Sequence, residues 1–337
     1  MTPTNSAQVA VLALGSWGTA LAHHIAEVGH SVVGWVSDPV IAQTINETRH
    51  HPKVFPEQKL SQRLRVTTDL SEALEASYVV LAFPAAAIAS FVPKLQQIKK
   101  EVTIISAIKG FEDGTLRTPL QAIAAIRGND SPRAVISGPT FAADIIKGMP
   151  AGIVVGARRE ATANQVATLL YGRSVKTYIS TDPLGVELGG AVKNVIALAA
   201  GMGDGLGLGD SARAMLITRG LAEMVRLGTK LGVDPQTLYG LSGLGDLVMT
   251  ATSTVSRNYR AGIRLGRGEK LSDVLQTIGT VVEGAHTAPL LVDLGRAHQV
   301  ELPISEQVTQ VLRGEVAPSE AVKNLVTRPV RREFYSV

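Results

Sequence analysis

Lys193 is the single ionisable side chain in the 16-residue stretch Leu188–Gly203, LGGAVKNVIALAAGMG. The stretch reads as a buried helix. Burial disfavours an ammonium and lowers its pKa towards neutrality, where a lysine can give and take protons. Gly189 and Gly190 precede Lys193 by four and three residues, on the same helical face, and would open room there for a ligand. Asn194 adjoins it as a hydrogen-bonding partner. The alternative is a surface lysine whose stem covers apolar area while its head reaches water, although a surface helix of this length normally carries more charges.

Other groups could serve the same chemistry. Ser242–Leu247 (SGLGDL) is a glycine-rich turn ending at a carboxylate. Asp246 there could hold a lysine ammonium or a substrate hydroxyl, or simply cap a helix. Thr250–Asn258 (TATSTVSRN) is rich in hydroxyls and leads into a basic helix. Ser256, Arg257 and Asn258 together suit a phosphate; the plainer reading is a polar loop with an N-cap at Ser256. Lys109 in SAIKG (106–110), and Gly138 and Thr140 in SGPT (137–140), each follow a strand-like run. Residues just past strand C-termini line the ligand crevice of an open α/β sheet.

A second kind of chemistry is signalled near the N-terminus. Ala13–Gly18 (ALGSWG) lies between a strand-like run and a helix-like one. The dinucleotide fingerprint at such a turn is G-x-G-x-x-G, whose middle glycine admits the pyrophosphate and whose third lets helix pack on strand. Gly15 and Gly18 fill those two places, and the helix N-terminus beyond them favours an anion. Ala13 replaces the first glycine, which an alanine can do comfortably only at negative φ. Asp38 lies near the distance at which an acidic residue binds a ribose 2′-hydroxyl, but it also reads as the N-cap before Pro39. Ser37, at the expected strand end, is uncharged, so NAD and NADP stay open.

These groups need a scaffold, and the chain is long enough for one. Its 337 residues suggest about two domains. The 45% apolar and 18% charged fractions describe a globular chain. The net charge of +4 is too small to argue for nucleic acid. The absence of cysteine removes disulfides, thiolate metal sites and a cysteine nucleophile, and fits a cytoplasmic protein. The seven histidines show no metalloprotease spacing, so no metal site is expected. The adjacent pairs His23–His24 and His50–His51 read as surface residues. No basic n-region precedes an apolar stretch at the N-terminus, and no unbroken run of about 20 apolar residues suggests a membrane span.

In the first half, short apolar runs alternate with helical patterns: Gln8–Leu14, Ser31–Val36, Val66–Thr68, Tyr78–Ala82, Thr103–Ser106, Ala134–Ser137 and Gly152–Val155. This predicts a doubly wound parallel sheet. After about Thr181 strand-like runs nearly vanish and long Ala/Leu/Val-rich helical patterns take over. The expected fold is α/β: a doubly wound domain over residues 1–183, followed by an all-helical domain over 184–337. The arginine-containing tail from Arg328, with Arg331 and Arg332, reads as a solvated end.

Taken together, these segments resemble the bacterial NAD(P)-dependent glycerol-3-phosphate dehydrogenases from about Val9 to Val326. The resemblance is carried by GSWGTALA (15–22), IKGFE (108–112), SGPTFA (137–142), GVELGGAVKNVIA (185–197), DGLGLGDSARAMLITRGLAEM (204–224), SGLGDL (242–247), SRN (256–258) and VVEG (281–284). It implies an N-terminal Rossmann-type domain followed by a helical substrate-binding and catalytic domain, and reduction of dihydroxyacetone phosphate to sn-glycerol 3-phosphate by NADPH or NADH, supplying glycerophospholipid synthesis, by a homodimer. It further implies Lys193 as the catalytic lysine, supported by Lys109, Asp246 and Asn194. Substrate contacts would come from Lys109, Gly138, Thr140, Lys193, Asp246, Ser256, Arg257 and Asn258. Cofactor contacts would come from Gly15, Ser16, Trp17, Gly18, Ser37, Lys109, Ala142, Arg257, Val281 and Glu283. Two residues depart from the family: Ala13 stands for its usual glycine, and Ser37 for its frequent Arg or His, which predicts weaker discrimination against NADH. The rival readings are a hydroxy-acid dehydrogenase of the same architecture and a non-catalytic nucleotide-binding protein.

Overall fold

The computed structural model describes residues 6–330, 332 and 333. The chain forms two compact units that divide after Val186, with the segment Lys109–Leu116 belonging to the second.

The first unit is built on one eight-stranded sheet. The strands are β1 (Gln8–Leu12), β2 (Ser31–Trp35), β3 (Leu64–Thr67), β4 (Tyr78–Leu81), β5 (Thr103–Ser106), β6 (Arg133–Ser137), β7 (Ala151–Gly156) and β8 (Val175–Ser180). Their spatial order is β3-β2-β1-β4-β5-β6-β7-β8. The central strands are buried nearly end to end, as unbroken apolar runs such as VAVL and TIIS require when helices cover both faces. Every pairing is parallel except β6–β7. Gly138 follows β6 with φ +145°, beside its antiparallel neighbour β7. A Cβ there would overlap the Gly152 carbonyl oxygen of β7, so the close approach of the two backbones requires a glycine. Strand β8 escapes a sequence reading because it is an edge strand: its VKTYIS pattern is mostly exposed and carries no apolar run.

Helix α1 (Ser16–Glu27) leaves the turn after β1, and α2 (Pro39–Thr48) starts after β2. Asp38 is the N-cap of α2, accepting the Val40 N–H at 3.0 Å. The short α3 (Ala142–Ile146) follows β6 and packs on α1. The turn between β1 and α1 corrects one expectation: Ala13 sits at φ +74°, in the left-handed region. Its N–H is held by the Trp35 carbonyl at 3.0 Å, and its own carbonyl lies where a Cβ on Gly18 would be. The close packing of helix on strand therefore fixes the backbone at residue 13 whatever side chain it carries.

The histidine pairs are also corrected. His23, His24 and His51 are buried, and only His50 is partly exposed. His23 Nδ1 accepts the Ser61 N–H, and His24 Nε2 bonds the Leu170 carbonyl at 2.8 Å. Burial lowers the pKa of all three buried rings, so they stay neutral inside the unit.

Beyond β8 every described element is helical. The elements that bear on the site are α4 (Pro183–Gly205), α5 (Asp210–Lys230), α6 (Asp246–Ala251), α7 (Arg257–Gly266) and α8 (Glu283–Ala297). Helix α4 is long and apolar enough to cross a membrane, but 94% of its apolar window is buried inside the protein, as in the core helix of a globular protein. It crosses α7 at backbone contact. A Cβ on Gly201 or Gly205 would overlap the Tyr259 or Ile263 carbonyl, and one on Gly262 or Gly266 the Leu198 or Met202 carbonyl. Of the expected solvated tail, Arg328 pairs with Glu301 at 2.8 Å and Arg332 is exposed, while Arg331 lies outside the described residues.

Two substitutions test this account in opposite directions. Gly262→Ala, in the crossing of α4 and α7, should cost about 1–3 kcal/mol through overpacking. Ala13→Gly should gain about 1 kcal/mol by relieving a left-handed alanine. Guanidinium midpoints of the two variants against the wild type read both.

Candidate active site

The second unit gathers three polar side chains around one buried carboxylate. Asp246, the first residue of α6, is completely buried. Lys193 on α4 donates to its Oδ1, and Lys109 donates to its Oδ2 at 2.5 Å. Lys193 also donates to Thr250 Oγ1 at 2.9 Å. The Thr250 hydroxyl donates in turn to the Asp246 main-chain carbonyl one turn back, at 2.6 Å. Asp246 is thus a ligand of two ammonium groups rather than only a helix-starting residue.

Lys193 is buried, with 7% of its side chain exposed, which excludes the surface reading. Gly189 does not open room for a ligand. A Cβ there would fall 2.7 Å from the Ser242 carbonyl oxygen, so the glycine admits the 242–243 backbone that carries Asp246 to the helix.

The electrostatics follow from this packing. Burial pushes Lys193 from the usual 10.5 down to about 7; the Asp246 carboxylate opposes that fall and the Lys109 charge adds to it. Burial alone would raise the Asp246 carboxyl, but the two lysines outweigh it and hold it below the usual carboxylate range. The cluster therefore keeps a permanent anion beside an amine that exchanges its proton near neutral pH.

Asn194, next along α4, belongs to a second linkage. Its Oδ1 accepts from Asn258 Nδ2 at 2.8 Å, and Asn258 Oδ1 accepts the Gly284 N–H at 2.8 Å. The two amides tie α4 to the starts of α7 and α8, and leave Asn258 one Nδ2 hydrogen for anything else. Ser256 is the N-cap of α7, accepting the Tyr259 N–H, in keeping with the plainer reading; the bond leaves its hydroxyl proton unused. Arg257 is exposed at the first position of that helix, within electrostatic reach of Glu283, while Val281 is exposed two residues before Glu283.

The remaining predicted residues lie in the first unit. Gly15 is at the N-cap position of α1, and Ser16, Trp17 and Gly18 form the first turn of the helix. Ser37 is exposed just past β2. Ala142 is the first residue of α3. Thr140 Oγ1 bonds the Gly138 carbonyl at 3.1 Å.

The turn at Gly15 fits a dinucleotide on its own geometry. Gly15 is exposed, and beyond its chain neighbours no protein atom comes within 4 Å of where its Cβ would be, so nothing in the protein itself demands a glycine there. A ligand approaching the backbone does demand one. Gly15 offers no side-chain cap to α1, and the N–H groups of a helix's first turn have no intrahelical acceptors. The Trp17 indole N–H is buried without a partner.

Comparison with known proteins agrees with this layout. Residues 8–163 match the model of the NAD-dependent glycerol-3-phosphate dehydrogenase N-terminus, and residues 182–323 that of its C-terminus. The chain belongs to the NAD-dependent glycerol-3-phosphate dehydrogenase family. It is 41% identical over 333 residues to glycerol-3-phosphate dehydrogenase [NAD(P)+] of Stenotrophomonas maltophilia, covering 98% of each chain. It is 43% identical over 327 residues to the Desulfovibrio desulfuricans protein of that name, covering 96% of this chain and 98% of the relative. The crystal structure of glycerol-3-phosphate dehydrogenase from Coxiella burnetii superposes with a TM-score of 0.92 at 34% identity, covering 96% of this chain and 99% of the other. The fold and the oxidoreductase class implied by the motifs are those of this glycerol-3-phosphate dehydrogenase family.

Thr250 is the member of the cluster that the sequence reading does not single out. In sequence it is one of several hydroxyls; its signal is the four-residue spacing from Asp246, which puts both on one helical face. Thr250→Val should loosen Lys193 without unfolding the protein. A lost hydrogen bond of about 1–1.5 kcal/mol corresponds to roughly a tenfold fall in kcat. The KM for the nucleotide and the melting temperature should stay near wild type in the same preparation.

Proposed function

We propose that this chain reduces dihydroxyacetone phosphate to sn-glycerol 3-phosphate with NADH or NADPH, and catalyses the reverse reaction. The observation that carries the reading is the buried Lys109–Asp246–Lys193–Thr250 cluster, which pairs a near-neutral proton donor with a fixed anion. The first unit is the dinucleotide-binding part and the second the substrate-binding and catalytic part. Gly15, Ser16, Trp17, Gly18, Ser37 and Ala142 would hold the nucleotide; Lys109, Arg257, Val281 and Glu283 are the further cofactor contacts that the family resemblance implies. The nucleotide, when bound, supplies the hydride.

The protein's own part is proton transfer, charge and position. Lys193, as ammonium, donates its proton to the substrate C2 oxygen as that oxygen gains negative charge, and becomes the neutral amine. Its positive charge, with that of Lys109, stabilises the developing alkoxide beforehand. Asp246 and Thr250 hold the Lys193 Nζ in one place, so the donor does not need to reorganise. Arg257, the free Ser256 hydroxyl proton and the spare Asn258 hydrogen would take the substrate phosphate at the start of α7. The phosphate's binding energy then fixes a small ketone for attack. Gly138 and Thr140 would add substrate contacts. The family context supports a role in supplying glycerophospholipid synthesis, in the cytoplasm, as a homodimer.

The test is loss of 340 nm absorbance with dihydroxyacetone phosphate, run separately with NADPH and NADH. Turnover abolished in Lys193→Ala supports the reading; nucleotide binding with no turnover by the wild type on this ketone sinks it in favour of a binding protein or another substrate. The pH profile adds a signed check. The donor must be protonated, so activity should fall as pH rises through about 7. Asp246 favours the ammonium, so Asp246→Asn should lower the Lys193 pKa further and move that falling limb to lower pH by about one unit or more.

A further inference from the structure

The residue following β2 in a dinucleotide-binding sheet faces the adenosine ribose, where a carboxylate suits a 2′-hydroxyl and a cation suits a 2′-phosphate. By sequence this chain offers no cation there, because Ser37 is uncharged. In the fold one arrives from elsewhere: Lys53 Nζ lies 3.2 Å from Asp38 Oδ2, although the two are 15 residues apart. Lys53 has 68% of its side chain exposed, and Asp38 38%, so both remain open to a ligand.

The lysine does not sit on a loose loop. His51, 2% exposed, anchors the segment. Its Nδ1 accepts the N–H groups of Lys53 at 3.1 Å and Val54 at 3.2 Å. With Nδ1 accepting, the ring proton is on Nε2, which donates to the Leu14 carbonyl at 3.0 Å. Leu14 adjoins Gly15, and the Ala13 N–H is bonded to Trp35 at the end of β2. The backbone that carries Lys53 is therefore tied to the turn proposed to hold the pyrophosphate and to the strand that ends beside Ser37. Asp38 Oδ1 is already engaged by the Val40 N–H, which leaves Oδ2 and Lys53 Nζ as the facing charges.

We propose that Lys53 and Asp38 together set the choice between NADPH and NADH, Lys53 supplying the cation for a 2′-phosphate and Asp38 the acceptor for a 2′-hydroxyl. This deepens, and rests on, the dinucleotide reading above. Each group restrains the other. The carboxylate weakens the attraction of Lys53 for a phosphate, and the ammonium competes with a ribose hydroxyl for Asp38. A paired site of this kind accepts both nucleotides with modest preference, whereas either charge alone would choose.

Calorimetric titration of the full chain tests this without relying on turnover. The probes are NADPH, NADH, adenosine 2′,5′-bisphosphate and AMP. Lys53→Gln should weaken NADPH and the bisphosphate by about five- to tenfold, and leave NADH and AMP within about twofold. Asp38→Asn, which keeps a capping side chain for α2, should weaken NADH about threefold and tighten NADPH. Raising the salt concentration should erode the NADPH preference of Asp38→Asn and spare NADH. If both variants bind both nucleotides with the wild-type ratio, the pair has no part in the choice and the inference is overturned alone. If the wild type binds neither nucleotide, the dinucleotide reading itself fails and this inference falls with it.

Discussion

The site depends on placing two lysines, one buried and one part-buried, against a fully buried aspartate. An isolated buried carboxylate would take up a proton, and an isolated buried ammonium would lose one. Together they allow each other to remain, and the balance leaves Asp246 ionised while Lys193 titrates near neutrality. Burial is the main force that lowers Lys193, and the charge on Lys109 adds to it against the pull of Asp246. Three residues from distant parts of the chain, 137 and 53 positions apart, must therefore be brought into register.

Helix α4 is the spine that achieves this. Neighbouring residues on a helix point about 100° apart, so Lys193 and Asn194 look in different directions. Lys193 reaches α6 through Asp246 and Thr250, and Asn194 reaches α7 and α8 through Asn258 and Gly284. The glycine contacts with α7 bring the two backbones so close that the crossing cannot slide without overlap. Lys193 and the start of α7 are thereby held in a fixed relation by packing rather than by a network that could rearrange.

A good part of this arrangement is legible in the amino-acid sequence. A lone ionisable residue in the sixteen-residue stretch Leu188–Gly203 points to burial over a surface position, and burial lowers its pKa. The strands are visible wherever both faces are covered, and β8 is not, because an exposed edge leaves no apolar run. Asp246 stands out as a candidate with two meanings, and only the fold chooses between them. The left-handed φ at Ala13 is imposed by Gly18 packing beneath it, so the alanine conceals what a glycine at that fingerprint position would have signalled. Lys53 leaves no mark in the sequence, since spacing along the chain says nothing about a side chain that returns to Asp38 through a histidine-anchored loop. The buried histidines show the same limit: neighbouring imidazoles look like surface until backbone groups from elsewhere satisfy their nitrogens.

The path of the chain has a further consequence. Lys109–Leu116 leaves the first unit, joins the second, and is followed by seventy more residues of the first. The second unit is therefore not a contiguous piece of the gene. Cutting after Val186 would produce a helical fragment without Lys109, and with Asp246 facing one lysine instead of two. A chimera joining the halves of two relatives would likewise combine a lysine-bearing segment from one parent with a carboxylate from the other. The cluster can be exchanged between relatives only as a set of three separate segments, which ties the history of the two units together even though each has its own core.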